Sequence, residues 1–191
     1  MTGYSLSRFL EECGNAAADN EVPADTVLRL AVPMQRLLSV AADFLKPSHL
    51  RSDPSHYARN LVYAAEDGSL SLFALVWEPG QWTPVHDHGS WGIVGVYEGV
   101  LEERAYMRVD ADPLPDRNHG IALQRGGLVL LSPDSVTTFV PNPDHIHVTG
   151  VPEDRPRAVS LHLYGRMMDR FYAYDVAAGT RELIAAPHFE S

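Results

Sequence analysis

The sequence predicts an all-β core, either a sandwich or a barrel, with α-helices packed on it. Apolar side chains recur at helical spacing through residues 5–45, whereas from Tyr57 onward the pattern changes to short extended runs. These runs follow one another without a helical interruption, and each is bounded by Gly, Pro, Asn or Asp. Many short strands at close spacing are typical of all-β sandwiches and barrels.

Length and composition indicate a globular protein. The chain has 191 residues, of which 45% are hydrophobic and 21% are charged. We expect a helical extension over residues 1–50 and a β-barrel over residues 51–191, together forming a single structural domain. No window reaches the ~20 apolar residues of a membrane span and no secretory signal is visible, so we expect a cytoplasmic protein. The net charge of −10 opposes binding to nucleic acid or to anionic membranes.

Two apolar stripes predict the helices. The first ends at Cys13, the single cysteine of the chain, which excludes an internal disulfide and a cysteine-rich zinc site. The second runs from Val27 to Phe44 at helical spacing and is interrupted by Pro33. Proline lacks a backbone N–H and is favoured in the first turn of a helix. We therefore expect either a kink at Pro33 or two short helices, the second opened by Pro33, followed by a connecting loop.

The predicted strands begin with a hairpin, in which Arg59–Ala64 and Leu70–Trp77 flank the turn-forming stretch Glu66–Ser69. Six further extended runs are Trp91–Tyr97, Val100–Val109, Leu128–Leu131, Val136–Val140, His145–Val151 and Ala158–Tyr164. Pro113–Gly120 is polar and is expected to be a surface loop. Phe171–Val176 is a candidate last strand, and the residues after it carry no pattern that predicts structure.

A pair of histidines stands at the centre of the extended region. His86 and His88 are two residues apart, so on a strand both imidazoles project to the same face and can reach one metal ion. Asp87 points to the opposite face and is not expected to be a ligand. A catalytic metal needs a third ligand, for which His145 and His147 are candidates. These two share a strand face, so alternation leaves the choice between them open.

Two stretches resemble the two motifs of the cupin superfamily. The first contains, in the spacing of that motif, Gly80, His86, His88, Gly92 and Gly99. The second is Gly127–Pro133, followed by a strand that leads to a histidine. The resemblance implies a cupin jelly-roll barrel over residues 51–191, with a metal bound inside its mouth. Because the usual first motif has a glutamate where this chain has Gly92, the resemblance implies a site of three histidines.

Within that superfamily, residues 57–165 resemble the cysteine dioxygenase (thiol dioxygenase) family, in its bacterial type with an arginine at the carboxylate-binding position. The motifs that carry the resemblance are Tyr57-Ala-Arg59, His86-Asp-His88, His147 and Ser160-Leu-His162-Leu-Tyr164. The resemblance implies that His86, His88 and His147 bind Fe(II), and the family spacing favours His147 over His145. It also implies that Arg59 pairs with the substrate carboxylate, with Tyr57 beside it. Ser160, His162 and Tyr164 would form a hydrogen-bonded catalytic triad that faces the iron.

The activity implied by this resemblance is the insertion of both atoms of O2 into the thiol of a small thiol carboxylate, which gives the sulfinate. L-cysteine is the favoured substrate, and 3-mercaptopropionate and mercaptosuccinate are alternatives. Arg166 and Arg170 are conceivable partners for a second substrate carboxylate. Some members of the family cross-link a cysteine near the position of Gly92 to the triad tyrosine. This chain has no cysteine there, so Tyr164 should remain a free phenol.

The residues themselves fit this interpretation but leave alternatives open. Ser160, His162 and Tyr164 alternate with apolar residues, so they line either a polar cavity or an exposed face. The planar guanidinium of Arg59 suits a carboxylate, and the alternative is an ordinary surface arginine. The same three histidines could hold Zn(II) with a water for hydrolysis or hydration. A third alternative is a cupin that binds a small molecule without catalysis.

Overall fold

The computed structural model describes residues 3–19, 22–111, 117–141 and 145–190, so part of the predicted loop Pro113–Gly120 lies outside the described residues. The helical part comes first. It consists of α1 (Leu6–Asp19), α2 (Pro23–Ser39), α3 (Ala41–Phe44) and a 3₁₀ turn (Pro47–Leu50). Within the described ranges, no helix combines the length and the apolar character that crossing a bilayer requires.

Helix α2 runs unbroken through Pro33, so the alternative of two short helices is wrong. Pro33 has no N–H to donate and therefore removes one hydrogen bond from the helix interior. Apolar side chains on both sides of it, including Leu30 and Met34, are buried in the core that α2 shares with the β-structure. Burial of an apolar face is the main source of helix stability in proteins, and here it holds α2 together as one element.

The rest of the described chain is almost entirely β-structure. Its strands are β1 (Ala58–Ala64), β2 (Ser71–Trp77), β3 (His86–Asp87), β4 (Gly92–Glu98), β5 (Leu101–Arg108), β6 (Leu123–Leu131), β7 (Val136–Phe139), β8 (Ile146–Gly150), β9 (Ala158–Tyr164), β10 (Arg170–Asp175) and β11 (Thr180–Ala185). The bounds of β9 are those that the sequence predicts. The sequence does not predict β11.

The strands form two antiparallel sheets that enclose the site. The five-stranded sheet has the order β1-β2-β9-β4-β7, and the six-stranded sheet has the order β11-β10-β3-β8-β5-β6. Side chains from both sheets, such as Phe73 and Phe171, pack together in one core cluster between them. The structure is a cupin-like jelly roll with N-terminal helices, and the predicted fold class is confirmed.

The five-stranded sheet is covered on both faces. Alternate residues of its central strands, such as Leu72 on β2 and Leu161 on β9, pack with α1 and α2 in a second core cluster. The residues between them face the interior of the jelly roll, so every residue of β2 and β9 is buried. Ser160, His162 and Tyr164 belong to the inward-facing set, which excludes an exposed face for them.

Candidate active site

The structure brings His86, His88 and His147 together. His86 begins β3, His88 follows that strand directly, and His147 on β8 lies opposite His86 in the antiparallel register. The Nε2 atoms of His86 and His88 are 3.2 Å apart, and one possible ligand atom from each histidine lies within 4.8 Å of the others. All three side chains are buried. Asp87 turns away from them and accepts a hydrogen bond from the hydroxyl of Tyr174.

Burial keeps these imidazoles neutral. It holds the pKa values of His86 and His88 well below their usual range, and the neighbouring imidazoles lower both values further. Burial also lowers the pKa of His147, although the carboxylate of Glu103 opposes this shift. Neutral imidazole is the form that ligates divalent metals such as Fe(II) or Zn(II).

The donor atoms fit a metal ion. His86 Nδ1 lies 3.0 Å from the carbonyl oxygen of Pro84, which fixes the proton on Nδ1 and leaves the lone pair on Nε2. His147 Nδ1 lies 3.1 Å from Glu103 Oε2, a close contact short of good hydrogen-bond geometry, in which the carboxylate favours a proton on Nδ1. The Nε2 atom of His147 is buried and has no hydrogen-bond partner among the described residues. A metal ion beside the three rings would satisfy this otherwise costly buried nitrogen.

His145 takes a different position from His147: its ligand atoms group with Glu103 and His147, and not with His86 and His88. Its Nε2 lies 3.4 Å from Glu103 Oε1, and its ring stacks on Phe139 with the centroids 5.0 Å apart. Glu103 therefore contacts both histidines of the His145–His147 pair, one with each carboxylate oxygen. Burial opposes the charge of Glu103, but the hydrogen bonds from His145 and His147 hold the pKa of this carboxyl well below its usual range. The sequence analysis did not single out Glu103.

Phe139 fills the space that a side chain at position 92 would need. Gly92 on β4 lies between Phe139 on β7 and Tyr164 on β9, and a Cβ atom at Gly92 would lie only 2.2 Å from Phe139 Cζ. The Phe139 ring stacks on His88, with 4.3 Å between the centroids. An aromatic ring thus replaces the carboxylate or thiol that a longer side chain could bring there. No local pattern in the sequence signals this role, because it arises from the pairing of β4 with β7.

A row of hydrogen bonds runs along β9. The indole Nε1 of Trp77 donates to Ser160 Oγ over 2.9 Å. Ser160 Oγ lies 2.8 Å from His162 Nε2. His162 Nδ1 lies 3.2 Å from the hydroxyl of Tyr164, and the Tyr164 ring centroid is 5.5 Å from that of His88. The structure thus joins the three triad residues and adds Trp77, which the sequence analysis did not include.

This row has one direction. An indole N–H can only donate, so Ser160 Oγ accepts from Trp77 and directs its own proton to His162 Nε2. His162 then carries its proton on Nδ1 and donates to the oxygen of Tyr164. Burial, with the charge of Arg59, lowers the pKa of His162 to about 3, so this imidazole is neutral and able to accept. Burial raises the pKa of Tyr164, whose hydroxyl keeps a proton to donate into the pocket.

Arg59 on β1 is buried, with only 6% of its surface exposed. Its Nη2 donates to the carbonyl oxygen of Met168 over 2.6 Å, and its Nη1 donates to that of Ala186. The guanidinium carbon stands 4.5 Å from the centroid of the Phe73 ring. Burial lowers the pKa of Arg59 from its ordinary value. The surface alternative for Arg59 is therefore wrong.

Two adjoining cavities lead to these residues. The inner one, about 20 Å³, has room for about one water molecule, and its lining includes Tyr57, Arg59, Tyr164 and the three clustered histidines. The outer one, about 380 Å³, shares Tyr57, Arg59 and Phe171 with the inner cavity and is further lined by residues 184–189. Tyr57 stacks on Trp77 with 4.6 Å between the ring centroids, and burial raises its pKa. Arg59 and Tyr57 thus stand where the two cavities meet.

Comparison with known proteins decides the family. A family model described as "Cysteine dioxygenase type I" matches residues 18–177. The chain belongs to the cysteine dioxygenase type I family. It is 26% identical over 138 residues to cysteine dioxygenase type 1 of Homo sapiens and 25% identical over 138 residues to that of Bos taurus. Each match covers 71% of this chain and 64% of the relative, so the chain spans less than two thirds of the length of these curated relatives.

Among solved structures, a cupin-like protein from Thermotoga maritima is 16% identical, with a TM-score of 0.38 over 71% of this chain and 84% of that chain. A likeness at this level carries no information about function. The predicted membership of the cysteine dioxygenase family is confirmed by the family match.

Cys13, Arg166 and Arg170 all lie outside the candidate site. The single cysteine of the chain, Cys13, is buried in the core that α1 shares with the five-stranded sheet, whereas Tyr164 belongs to the core between the sheets.

Arg166 donates a hydrogen bond to the carbonyl oxygen of Arg170. Arg170 is exposed beside Asp169, with 3.6 Å between Arg170 Nε and the Asp169 carboxylate. Neither arginine lines the two cavities, which leaves both outside the candidate site.

Proposed function

We propose that the chain is a non-heme Fe(II) thiol dioxygenase that converts a small thiol carboxylate into its sulfinate, with L-cysteine as the favoured substrate. One observation carries this proposal: a single buried pocket is lined by three neutral imidazoles, the hydroxyl of Tyr164 and the guanidinium of Arg59. Membership of the cysteine dioxygenase family supports it. The activity remains our proposal because the chain spans 64% of the length of its curated relatives.

His86, His88 and His147 would hold the metal. Bound Fe(II) would supply the positive charge that lowers the pKa of a thiol and a redox-active centre for O2, while the four electrons that reduce O2 would come from the sulfur of the thiol. The three ligands are neutral, and the lining of the metal pocket, as far as the structure describes it, adds no carboxylate to them, since Glu103 approaches His147 from its Nδ1 side and does not line the pocket. The charge of a divalent metal would therefore remain available to the substrate.

Arg59 would bind and orient the substrate carboxylate. A guanidinium has five N–H groups, of which the carbonyl oxygens of Met168 and Ala186 take two, so three remain for a ligand. The same two carbonyls, with the Phe73 ring, hold the guanidinium in one place. A fixed fork of this kind suits bidentate binding of a carboxylate, which would direct the thiol of a short molecule into the inner cavity.

Tyr164 would act as a hydrogen-bond donor at the reacting atoms. The direction of the row from Trp77 leaves its hydroxyl proton free, and its raised pKa keeps that proton in place at neutral pH. A preorganised donor in a buried site stabilises negative charge that develops during the reaction. His162 and Ser160 would orient this hydroxyl.

The size of the cavities supports a small substrate. The inner cavity holds little more than one water, so only the thiol and the carbon next to it would enter, while the carboxylate meets Arg59 at the junction. L-cysteine, 3-mercaptopropionate and mercaptosuccinate all have this form. We also propose a cytoplasmic location. The acidic composition supports the further proposal that the chain has no nucleic-acid or membrane partner.

Oxygen uptake by the protein loaded with Fe(II) under anaerobic conditions tests this function. The substrate panel contains the three thiol acids and cysteamine, which lacks a carboxylate, and the Zn(II)-loaded protein is the control. We expect uptake with at least one thiol acid, none with Zn(II), and a much weaker response to cysteamine. Binding of a thiol acid to the Fe(II) protein without oxygen uptake would instead indicate a non-catalytic binding protein, and hydrolytic activity with Zn(II) would indicate the zinc alternative.

A further inference from the structure

The carboxylate of Glu103 lies behind His147, on the side away from the pocket. Glu103 and Ala105 are alternate residues of β5, and Ala105 is directly opposite His147 on β8. The side chain of Glu103 therefore occupies the same face of the sheet as His147 and reaches it diagonally. Its Oε2 stands 3.1 Å from His147 Nδ1, and its Oε1 stands 3.4 Å from His145 Nε2.

Burial makes this contact unusual for a glutamate. Only 7% of the surface of Glu103 is exposed, and a buried carboxylate is costly unless hydrogen-bond donors compensate it. One imidazole nitrogen lies beside each carboxylate oxygen, so an N–H at each nitrogen would compensate the buried charge. In return, the carboxylate favours a proton on Nδ1 of His147. The Nε2 atom of His147 is then left with its lone pair toward His86 and His88.

The Nδ1 atoms of His86, His88 and His147 have different neighbours. His86 Nδ1 faces a neutral carbonyl oxygen, that of Pro84, and among the described residues neither His88 Nδ1 nor His147 Nδ1 makes a hydrogen bond of good geometry, although the Glu103 carboxylate lies 3.1 Å from His147 Nδ1. Of the three, His147 is the one with a contact to a charged acceptor. A carboxylate behind a ligating imidazole fixes the ring and makes its other nitrogen a better donor to a metal.

We infer that Glu103 is a positioning residue of the metal centre, which fixes the tautomer and the orientation of His147, and that His145 in turn holds Glu103. This inference rests on the metal-binding part of the proposed function and is independent of the identity of the substrate. It gives His145 a role that needs no contact with the metal.

The neighbouring Glu102 offers a matched control. It lies on the same strand and is also largely buried, but its side chain projects to the opposite face, where its Oε1 accepts a hydrogen bond from Arg104 Nε over 2.6 Å. Glu103→Gln and Glu102→Gln are the same chemical change, one residue apart. A general effect of removing a carboxylate from β5 would appear in both variants.

Co(II) titration of the metal-free full-length protein, in competition with a chelator, measures the effect. We expect Glu103→Gln to weaken Co(II) binding by about 10- to 100-fold and Glu102→Gln to leave it within about twofold. The visible Co(II) spectrum, which reports the ligand geometry, should change only in Glu103→Gln. Thermal unfolding without metal checks that both variants fold, and added Co(II) should raise the melting temperature of Glu103→Gln less than that of the wild type.

The outcomes separate this inference from the metal centre itself. One outcome is that the wild type binds Co(II) tightly and a folded Glu103→Gln binds it with equal affinity. That result would overturn the role of Glu103 but would leave the metal centre in place. A wild type that binds no Co(II) would overturn the metal centre and the inference with it. If Glu103→Gln did not fold, His145→Ala keeps the carboxylate but removes one of its donors. That variant should weaken Co(II) binding by a smaller factor, and unchanged affinity there would count against the inference.

Discussion

Trp77 can only donate a hydrogen bond, and this single property sets the direction of the row that ends at Tyr164. If the row ran the other way, the proton of Tyr164 would point at His162 and the pocket would face only an oxygen. The low pKa of His162 keeps an acceptor in the middle of the row. At the scale of residues, the chemistry of the pocket therefore depends on a side chain that does not touch the metal trio.

Tyr164→Phe tests the end of this row. We expect the variant to keep its iron and its affinity for the thiol but to lose about 100-fold in kcat, because a positioned proton donor typically contributes at least that much. Steady-state oxygen uptake and iron analysis measure both quantities. Tyr174→Phe is the control, since Tyr174 is another buried tyrosine whose hydroxyl binds Asp87 on the opposite face of β3. An unchanged kcat in Tyr164→Phe would remove the hydroxyl from the mechanism.

Arg59→Ala tests the carboxylate site. Loss of a charge-assisted bidentate contact should cost about 2–4 kcal/mol in transition-state binding, or roughly 30- to 1000-fold in kcat/KM for L-cysteine. The loss should be small for cysteamine, which has no carboxylate, and lysine at this position should restore only part of the activity. Equal losses for both thiols would make Arg59 a structural residue.

The protonation of His162 should appear in the pH dependence of stability. Its pKa is about 3 in the folded protein and about 6.5 when unfolded, so between these values the unfolded state binds a proton that the native state excludes. Stability is therefore full above pH ~6.5 and is lost as the pH falls toward 3. Between pH 7.5 and 5.0 the metal-free wild type should lose about 2 kcal/mol more than His162→Gln in urea unfolding. Identical pH profiles would contradict a buried neutral His162.

Local spacing could predict some site residues but not others. His86 with His88, and Ser160 with His162 and Tyr164, share strand faces, which alternation alone reveals. Glu103 and Phe139 act through partners on other strands, so their roles depend on sheet register, which local spacing does not encode. Sequence alternation also left His145 and His147 equivalent, whereas the structure places His147 beside His86 and His88 and stacks His145 on Phe139.

At the scale of elements, the segment Ala186–Glu190 connects the two sheets beside the pocket. It leaves β11 at the edge of one sheet and reaches β1 at the edge of the other, where Phe189 N–H donates to the carbonyl oxygen of Arg59 and Leu61 N–H donates to that of Phe189. Ala186 accepts a hydrogen bond from the Arg59 side chain. The segment thus contacts both the backbone and the guanidinium of Arg59. No hydrophobic pattern in the sequence marks it.

Phe189→Ala tests the contribution of this segment. The Arg51 guanidinium lies 5.1 Å from the centroid of the Phe189 ring, so removing the ring loosens the segment and with it the acceptor at Ala186. We expect KM for L-cysteine to rise about tenfold with a smaller change in kcat, because the guanidinium is displaced while the metal trio is untouched. Leu183→Ala, at an exposed position on β11, is the control. An unchanged KM would show that Arg59 is held without this segment.

At the scale of the whole molecule, the helices explain why a polar row can face inward. They cover the outer face of the five-stranded sheet, which lets β9 bury leucines on one side and Ser160, His162 and Tyr164 on the other.

Periodicity in the sequence could predict the all-β core and the N-terminal helices. It could not predict β11, nor the continuity of α2 through Pro33, because both depend on tertiary packing. We propose that residues 1–50 and 51–191 form one structural domain, since they share a core cluster.

The central claim is that this pocket transfers both atoms of O2 to the sulfur of a small thiol acid. The most direct test supplies isotopically heavy O2 to the Fe(II)-loaded protein with L-cysteine, or with whichever thiol acid supports oxygen uptake, and analyses the product by mass spectrometry. We expect a sulfinate in which both oxygen atoms carry the heavy isotope. A disulfide as the only product, or a sulfinate with one oxygen from water, would contradict it.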